Sequence, residues 1–201
     1  MKNKILLADD HSMIRKGIKI LFELNFGYSG IGEVRTCSEL MRELSREEYT
    51  HLVLDINLTD GSTLEILPNI RALYPSLQIV IFSMQPSAVY GRALRQLGIS
   101  RFISKSAPEE ETIMQLRKFL QNEQPLQAVT DFEDPTPFSE LTHRELEVLH
   151  YLLKGMGTND IANTLNLKWN TISTVKNRIF EKTNTSNAME LKELAGLFRI
   201  S

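Results

Sequence analysis

Five residues among the first 105 of the chain could together do phosphoryl chemistry. They are Asp9, Asp10, Asp55, Ser83 and Lys105. The adjacent pair Asp9-Asp10 and each of the other three residues stand at the end of a short apolar run. Clustered carboxylates favour a divalent cation, above all Mg2+, which prefers hard oxygen ligands, and an aspartate beside such an ion can attack a phosphoryl donor. A lysine and a hydroxyl would then hold the phosphoryl oxygens. These residue types predict a Mg2+-dependent phosphoacceptor site.

Each residue also has an ordinary structural explanation. The pair Asp9-Asp10 could only cap a helix, and Asp55 could begin a turn because Asp60-Gly61 follows closely. Ser83 and Lys105, taken alone, could be a strand-end hydroxyl and a solvated charge. Their order along the chain and their shared position at strand ends favour the functional interpretation.

The apolar runs themselves are typical of strands buried on both faces by crossover helices. They cover 4–8, 51–54, 78–82 and 101–103, with a weaker strand at 31–37, and helix-length segments alternate with them at 13–24, 38–46, 62–73, 88–97 and 108–120. Five strands and five helices in alternation predict an α/β doubly wound fold with a five-stranded parallel sheet. Because such a sheet brings the carboxyl ends of its strands to one edge, the candidate residues would meet there.

After residue 121 the chain changes character. Residues 122–138 hold three of the seven prolines and several acidic groups without periodicity, and they predict a linker. From 139 to 201 the pattern is helical, with a capping box predicted at Thr142 and Glu145. The predicted helices begin after Thr142 and then cover 158–165, 169–183 and 187–198. A small all-α four-helix domain follows, with a helix-turn-helix whose helix 169–183 would enter the DNA major groove.

Charge gives this second domain modest support. Residues 168–182 contain four basic side chains and one acidic side chain, whereas the whole chain has a formal net charge of -2. Contacts with phosphates release counterions, so DNA binding should weaken with salt. An ordinary solvated helix face would carry the same charge, and charge alone leaves both alternatives open.

The N-terminal motifs resemble the receiver domain of two-component response regulators over 1–121. The matching pieces are Leu7-Ala-Asp-Asp10, Leu54-Asp-Ile-Asn-Leu-Thr-Asp-Gly61, Phe82-Ser-Met84 and Phe102-Ile-Ser-Lys105. The resemblance implies a flavodoxin-like fold and a histidine kinase as phosphodonor. It implies these roles: Asp55 as phosphoacceptor, Asp9, Asp10, Asp55 and the backbone carbonyl of Asn57 as the Mg2+ site, Ser83 and Phe102 as switch residues, and Lys105 as phosphate-binding lysine. Thr59 stands where the family often has proline, and Phe102 where tyrosine is usual.

The C-terminal motifs resemble the LuxR-type DNA-binding domain. The matching pieces include Leu141-Thr-His-Arg-Glu145, Gly155, Ile161-Ala162 and Val175-Lys176. The resemblance implies base contacts by Ser173, Thr174 and Asn177, and phosphate contacts by Thr171, Lys176, Arg178 and Lys182. Together the two resemblances imply a NarL/FixJ-type regulator that binds double-stranded DNA and forms a homodimer when phosphorylated, with helix 187–198 as a candidate contact.

Two other functions are compatible with parts of the chain. One is a phosphorylation-independent DNA-binding regulator in which the receiver serves only as a dimerisation module. The other is an aspartate-nucleophile phosphatase, but that chemistry usually needs a second acid two residues after the nucleophile, where Asn57 stands. No apolar run approaches the roughly 20 residues that span a membrane, and a single cysteine, Cys37, excludes an intrachain disulfide. A cytoplasmic protein without enzymatic turnover is expected.

Overall fold

The computed structural model describes residues 3–123 and 136–200, so most of the predicted linker lies outside the described residues. The described residues form two compact units, one of 3–84 with 97–123 and the other of 85–96 with 136–200. The helices and strands follow in this order: β1 (Ile5–Ala8), α1 (Ser12–Phe26), β2 (Gly32–Val34), α2 (Cys37–Arg46), β3 (His51–Leu54), β4 (Asn57–Leu58), β5 (Gly61–Ser62), α3 (Leu67–Leu73), β6 (Gln78–Ser83), α4 (Ser87–Gln96), β7 (Phe102–Ser104), α5 (Glu109–Leu120), α6 (His143–Leu153), α7 (Thr158–Thr164), α8 (Trp169–Thr183) and α9 (Ala188–Leu197).

A five-stranded parallel sheet is the frame of the first unit. Its strand order is β2-β1-β3-β6-β7. The chain adds β2 on one side of β1 and then β3 on the other side, as in flavodoxin-like folds. The register pairs Ala8 with Leu54 and Leu54 with Ile81. Asp9 and Asp55 therefore leave the sheet side by side at its carboxyl edge. The predicted doubly wound α/β fold is confirmed.

Side chains on both faces of this sheet are buried, which explains the almost wholly apolar strands. One face packs Leu7, Val53 and Val80 against Phe22 of α1 and Phe119 of α5. The alternating residues on the other face, Leu6, Leu52 and Leu54, are 0% exposed. Burial of each such side chain contributes about 2 kcal/mol, so the register that places the carboxyl edge is strongly held.

The segment after β3 differs from the sequence prediction. A helix was expected over 62–73, but β4 and β5 form a short antiparallel ladder, Thr63–Glu65 is a 3-10 turn, and α3 begins only at Leu67. The backbone N–H of Thr63 donates to the carbonyl of Ile56 at 2.7 Å, and this bond continues the pairing of the β4–β5 ladder. Pro68 then occupies the first turn of α3, where its missing N–H costs nothing.

Helices α6 to α9 and α4 make up the second unit. The predicted capping box is present, since Thr142 and Glu145 each bond the other's backbone N–H at the start of α6. Apolar residues of α6, α8 and α9 fill the interior, among them Leu146, Ile172 and Leu191. The rings of Phe138 and Phe198 meet edge to face with centroids 5.9 Å apart. Among the described residues no helix has both the length and the apolarity needed to cross a membrane.

Candidate functional site

Asp55 is the residue on which the polar groups of the sheet edge converge. Its side chain is 6% exposed. One carboxylate oxygen, Oδ1, accepts hydrogen bonds from the Ser83 hydroxyl at 2.6 Å and from the Ile56 backbone N–H at 2.7 Å. The other oxygen accepts from the Lys105 ammonium. Ser83 ends β6 and Lys105 follows β7, so the sequence-predicted residues are brought together by their strand ends.

Asp9 and Asp10 lie beside this group, directly after β1. The ammonium of Lys105 bridges the carboxylates, with Nζ 2.7 Å from Asp9 Oδ2 and in contact with Asp55. Ligand atoms of Asp9, Asp10, Asp55 and His11 all lie within 4.8 Å of one another. Asp10 is the most accessible of the three carboxylates, with a side chain 27% exposed. An incoming ion or phosphodonor can reach the cluster from that side.

Electrostatics at the cluster are unbalanced. Burial raises the pKa of Asp55 above its ordinary value, and the opposing effects of the Lys105 ammonium and the Ser83 hydroxyl do not cancel it. The carboxylate of Asp9 raises it further. Two buried carboxylates thus share one buried ammonium, with the Asp10 carboxylate close to both, an arrangement in which added positive charge is favourable.

The donor set fits a magnesium ion. Carboxylate oxygens at short mutual distances, one of them reachable from solvent, are the ligands that Mg2+ selects while keeping several waters. The side-chain oxygen of Asn57 is buried and has no hydrogen-bond partner within the described structure. Receiver domains generally bind Mg2+ at an acidic site of this kind.

Phe102, the predicted switch aromatic, and Thr59, at the usual proline position, have other contacts than Asp55. Phe102 is half-buried at the start of β7, where it pairs with Ile81. Thr59 reaches Asp10, its hydroxyl 3.5 Å from Oδ2, and so the residue at the usual proline position touches the acidic pair. No hydrogen bond among the described residues joins Phe102 or Thr59 to the Asp55 carboxylate.

Sequence reasoning missed two residues that support the site. Arg15 is 3% exposed and donates to the backbone carbonyl of Asp9 at 2.8 Å and to Glu33 at 3.0 Å. Thr63 is 0% exposed and donates to the carbonyls of Asp55 and Ile56. Arg15 stood one helical turn after His11 on the buried side of α1, and that signal could have identified it. No local pattern identified Thr63, because the ladder that positions it was not predicted.

The candidate DNA-contacting residues lie on one helix of the second unit. Ile172, Val175 and Ile179 of α8 face the interior, as the helical period requires. The predicted DNA-contacting residues are exposed or half-buried: Thr171, Ser173, Thr174, Lys176, Asn177, Arg178 and Lys182. Helix α8 therefore presents polar and basic side chains on the side opposite its buried residues.

Lys182 differs from the other members of that surface. Its ammonium lies 2.7 Å from Glu145 Oε2 and 3.1 Å from the Glu140 carbonyl. Burial raises the pKa of Glu145, but the hydrogen bonds from Lys182 and Thr142 outweigh burial and leave that pKa below its ordinary value. Lys182 is thus tied to the cap of α6.

Comparison with known proteins covers both units. Residues 5–117 match the response regulator receiver domain, and residues 139–195 match the luxR family of bacterial regulatory proteins. The chain belongs to the response regulators. Its two matches identify it as a two-component, NarL/FixJ-type regulator of transcription, as the motifs predicted, and this family is one of transcription regulators rather than of enzymes.

Similar response regulators match over nearly the whole chain. The positive transcription regulator of virulence factors BvgA of Bordetella pertussis is 30% identical over 205 residues, covering 97% of each chain. The response regulator UvrY of Escherichia coli is 26% identical over 202 residues, covering 95% of this chain and 92% of the relative. The structure of RcsB from Salmonella enterica serovar Typhimurium bound to promoter rprA has a TM-score of 0.83 at 22% identity, covering 96% of this response regulator and 98% of RcsB. At that identity the similarity to RcsB shows the fold alone.

Proposed function

We propose that this response regulator accepts a phosphoryl group on Asp55 from a histidine kinase and thereby controls its own binding to DNA. Residues 1–121 would be the receiver, 122–138 a linker and 139–201 the DNA-binding domain. The observation that carries the proposal is the buried Asp55 carboxylate, on which Ser83, Lys105 and the Ile56 N–H converge beside Asp9 and Asp10.

The chemistry follows from those contacts. A carboxylate oxygen of Asp55 attacks the phosphorus of a phosphohistidine, an oxygen–phosphorus bond forms, the phosphorus–nitrogen bond breaks, and the departing imidazole takes a proton from solvent. Lys105 and Ser83 already touch Asp55, so they need little movement to donate to the new phosphoryl oxygens. The receiver would catalyse this transfer and its own dephosphorylation, without turnover of other substrates.

Asp9, Asp10, Asp55 and the backbone carbonyl of Asn57 would hold Mg2+ in this site. When bound, the ion neutralises the carboxylates and the incoming phosphoryl oxygens. Asp10 supports this role because it is the most accessible of the three carboxylates, and Asp9 because its buried carboxylate lies in the same cluster.

Phosphorylation would be transmitted by the switch residues. As Ser83 and Lys105 follow the new dianion, Phe102 moves inward, and the surface formed by 88–103 changes. Two copies would then pair on DNA, with α9 as a candidate contact. Its apolar side chains include Leu197, which is 80% exposed, and Leu194, whereas Leu191 is 0% exposed and belongs to the core.

In the DNA-binding domain, α8 would enter the major groove. Ser173, Thr174 and Asn177 would face bases, and Thr171, Lys176, Arg178 and Lys182 would contact phosphates. Support comes from the exposed and half-buried polar side chains of α8 and from the buried opposite face that fixes its orientation. A cytoplasmic location follows from the proposed kinase and DNA partners.

The first experiment is phosphorylation of the full chain by acetyl phosphate with Mg2+, followed by intact mass. Wild type should gain one phosphoryl group, and Asp55→Asn should gain none.

Selection from random double-stranded DNA, gel shifts and gel filtration of both proteins would then follow. Phosphodonor-dependent dimerisation and DNA affinity in wild type alone support the proposal. If Asp55→Asn responds to the phosphodonor as wild type does, Asp55 is not the acceptor, and if neither protein responds, DNA binding is independent of phosphorylation.

A further inference from the structure

Thr63 is a fully buried side chain directly behind the phosphoacceptor. It is 0% exposed, and its hydroxyl oxygen lies 2.9 Å from the Asp55 carbonyl and 3.0 Å from the Ile56 carbonyl. In a regular strand successive carbonyls point to opposite sides, so one hydroxyl cannot reach both. Thr63 therefore marks the place where the chain leaves the geometry of β3, one residue after the last strand position.

The hydroxyl completes a set of contacts that fixes every polar group of Asp55. The backbone N–H of Asp55 donates to the Ala8 carbonyl at 2.9 Å, and its carboxylate is held by Ile56, Ser83 and Lys105. The backbone carbonyl of Asp55 accepts from Thr63. Among the described residues, no other hydrogen bond holds this carbonyl. Removal of the Thr63 hydroxyl would therefore free the carbonyl end of the peptide plane after Asp55.

The same residue fixes the next peptide plane. The Ile56 carbonyl accepts from both the backbone N–H of Thr63, at 2.7 Å, and the Thr63 hydroxyl. Asn57 follows and pairs with Ser62 in the β4–β5 ladder. Thus the two peptide planes that lead from Asp55 to Asn57 are set by contacts with residues 62 and 63.

We propose that Thr63 is a positioning residue for the metal site, because its hydroxyl holds the backbone that carries Asp55 and Asn57 in the orientation that binds the ion. The inference rests on the proposed function, in which both residues are Mg2+ ligands. A metal site gains affinity when its ligands are held in place before binding. Thr63 thus acts on the ion through the backbone of two ligands and does not touch it.

Two matched pairs of side chains isolate the hydroxyl. Wild type and Thr63→Val both have a branched side chain, and only wild type has the hydroxyl. Thr63→Ser and Thr63→Ala both have a small side chain, and only Thr63→Ser has the hydroxyl. The full chain is titrated with Mn2+, the free ion is measured by electron paramagnetic resonance, and Mg2+ is then added as competitor. The loss of one ordinary hydrogen bond predicts a dissociation constant about fivefold higher for Thr63→Val than for wild type, and for Thr63→Ala than for Thr63→Ser.

Thr183→Val is the matched control. Thr183 is also buried, at 3% exposed, and its hydroxyl donates to the Ile179 carbonyl at 2.7 Å in the other unit. It should lower thermal stability to a similar extent without a change in metal affinity, so that a general loss of stability is separated from positioning. Asp10→Asn identifies the site by abolishing the measured binding.

The outcomes separate this inference from the proposed function. If wild type is phosphorylated but Thr63→Val or Thr63→Ala binds Mn2+ within twofold of its hydroxyl-bearing partner, Thr63 is not a positioning residue. A variant that does not fold is replaced by the other pair, which makes the same comparison. If wild type gains no phosphoryl group and its Mn2+ binding survives Asp10→Asn, both the proposed function and the role of Thr63 are wrong.

Discussion

The residues around Asp55 come from separate stretches of the first unit and are almost wholly buried, whereas the candidate DNA-contacting residues all lie on α8 and face solvent or are half-buried. At Asp55 each polar atom is already held by another residue of the chain. On α8 the contacts are few, such as the bond from the Thr174 hydroxyl to the Asn170 carbonyl at 2.9 Å.

This difference indicates how each region responds to substitution. In the first unit one change leaves a buried charge or carbonyl without its partner, and the remaining groups must shift. On the surface of α8 one change would remove one proposed contact with a DNA phosphate, and we expect it to leave the rest of the protein unaltered. Large, coupled effects are therefore expected at Asp55 and small, additive effects on α8.

The largest effect is expected for Lys105→Met. The substitution removes the ammonium that contacts both Asp9 and Asp55, and with it the positive charge that, in the proposed function, would meet the phosphoryl oxygens. We expect the rate of phosphorylation by acetyl phosphate at saturating Mg2+ to fall at least about 100-fold. Intact mass against time gives the rate. Lys19→Met, which removes an exposed lysine that pairs with Glu33, is the control, and a loss below about tenfold would show that Lys105 is not needed for transfer.

Lys182→Met tests the exception on α8. Its loss would leave the carboxylate of Glu145, a residue that is 5% exposed, without its ammonium partner. We expect the free energy of unfolding to fall by about 2 kcal/mol, less than for a fully buried pair because the Lys182 side chain is 34% exposed. Denaturation followed by the fluorescence of Trp169, the only tryptophan, measures it.

The same substitution predicts a pH dependence. The pKa of Glu145 is lowered in the folded chain, so its stabilising contribution is complete above the ordinary value of 4.5 and is lost as pH falls through the lowered value. The difference in unfolding free energy between wild type and Lys182→Met should therefore be constant near neutral pH and shrink in acid. Lys176→Met, on the same helix, should show little difference from wild type at any pH.

A smaller effect is expected for Arg178→Met. Arg178 is exposed, so its loss should leave unfolding unchanged and lower DNA affinity about fivefold near physiological salt. The slope of log affinity against log salt should decrease by about one, with little change in sequence preference. Binding isotherms at several salt concentrations measure both quantities. An unchanged slope would mean that Arg178 does not contact phosphate. The expectation of small, additive effects on α8 would then lose its support.

The sequence predicted much of both regions. The strand ends at Asp9, Asp55, Ser83 and Lys105 were visible as the ends of apolar runs, because strands buried on both faces tolerate few polar residues. The capping box at Thr142 and Glu145 was visible because its spacing is fixed by one helical turn. The start of α3 was not visible in the sequence. The hydrogen bond between Thr63 and Ile56 belongs to a short ladder that has no periodic sequence pattern.

Residue types, their order and the periods of burial, all local properties of the chain, determined the fold class, the gathering of the acidic residues at one sheet edge and the buried face of α8. The tertiary structure decided which atoms meet: Arg15 with the Asp9 carbonyl, Thr63 with Asp55, and Lys182 with Glu145 rather than with solvent alone. Those contacts join residues 6, 8 and 37 positions apart, and neither the helical period nor the strand period fixes such pairings, so only the packed strands and helices set them.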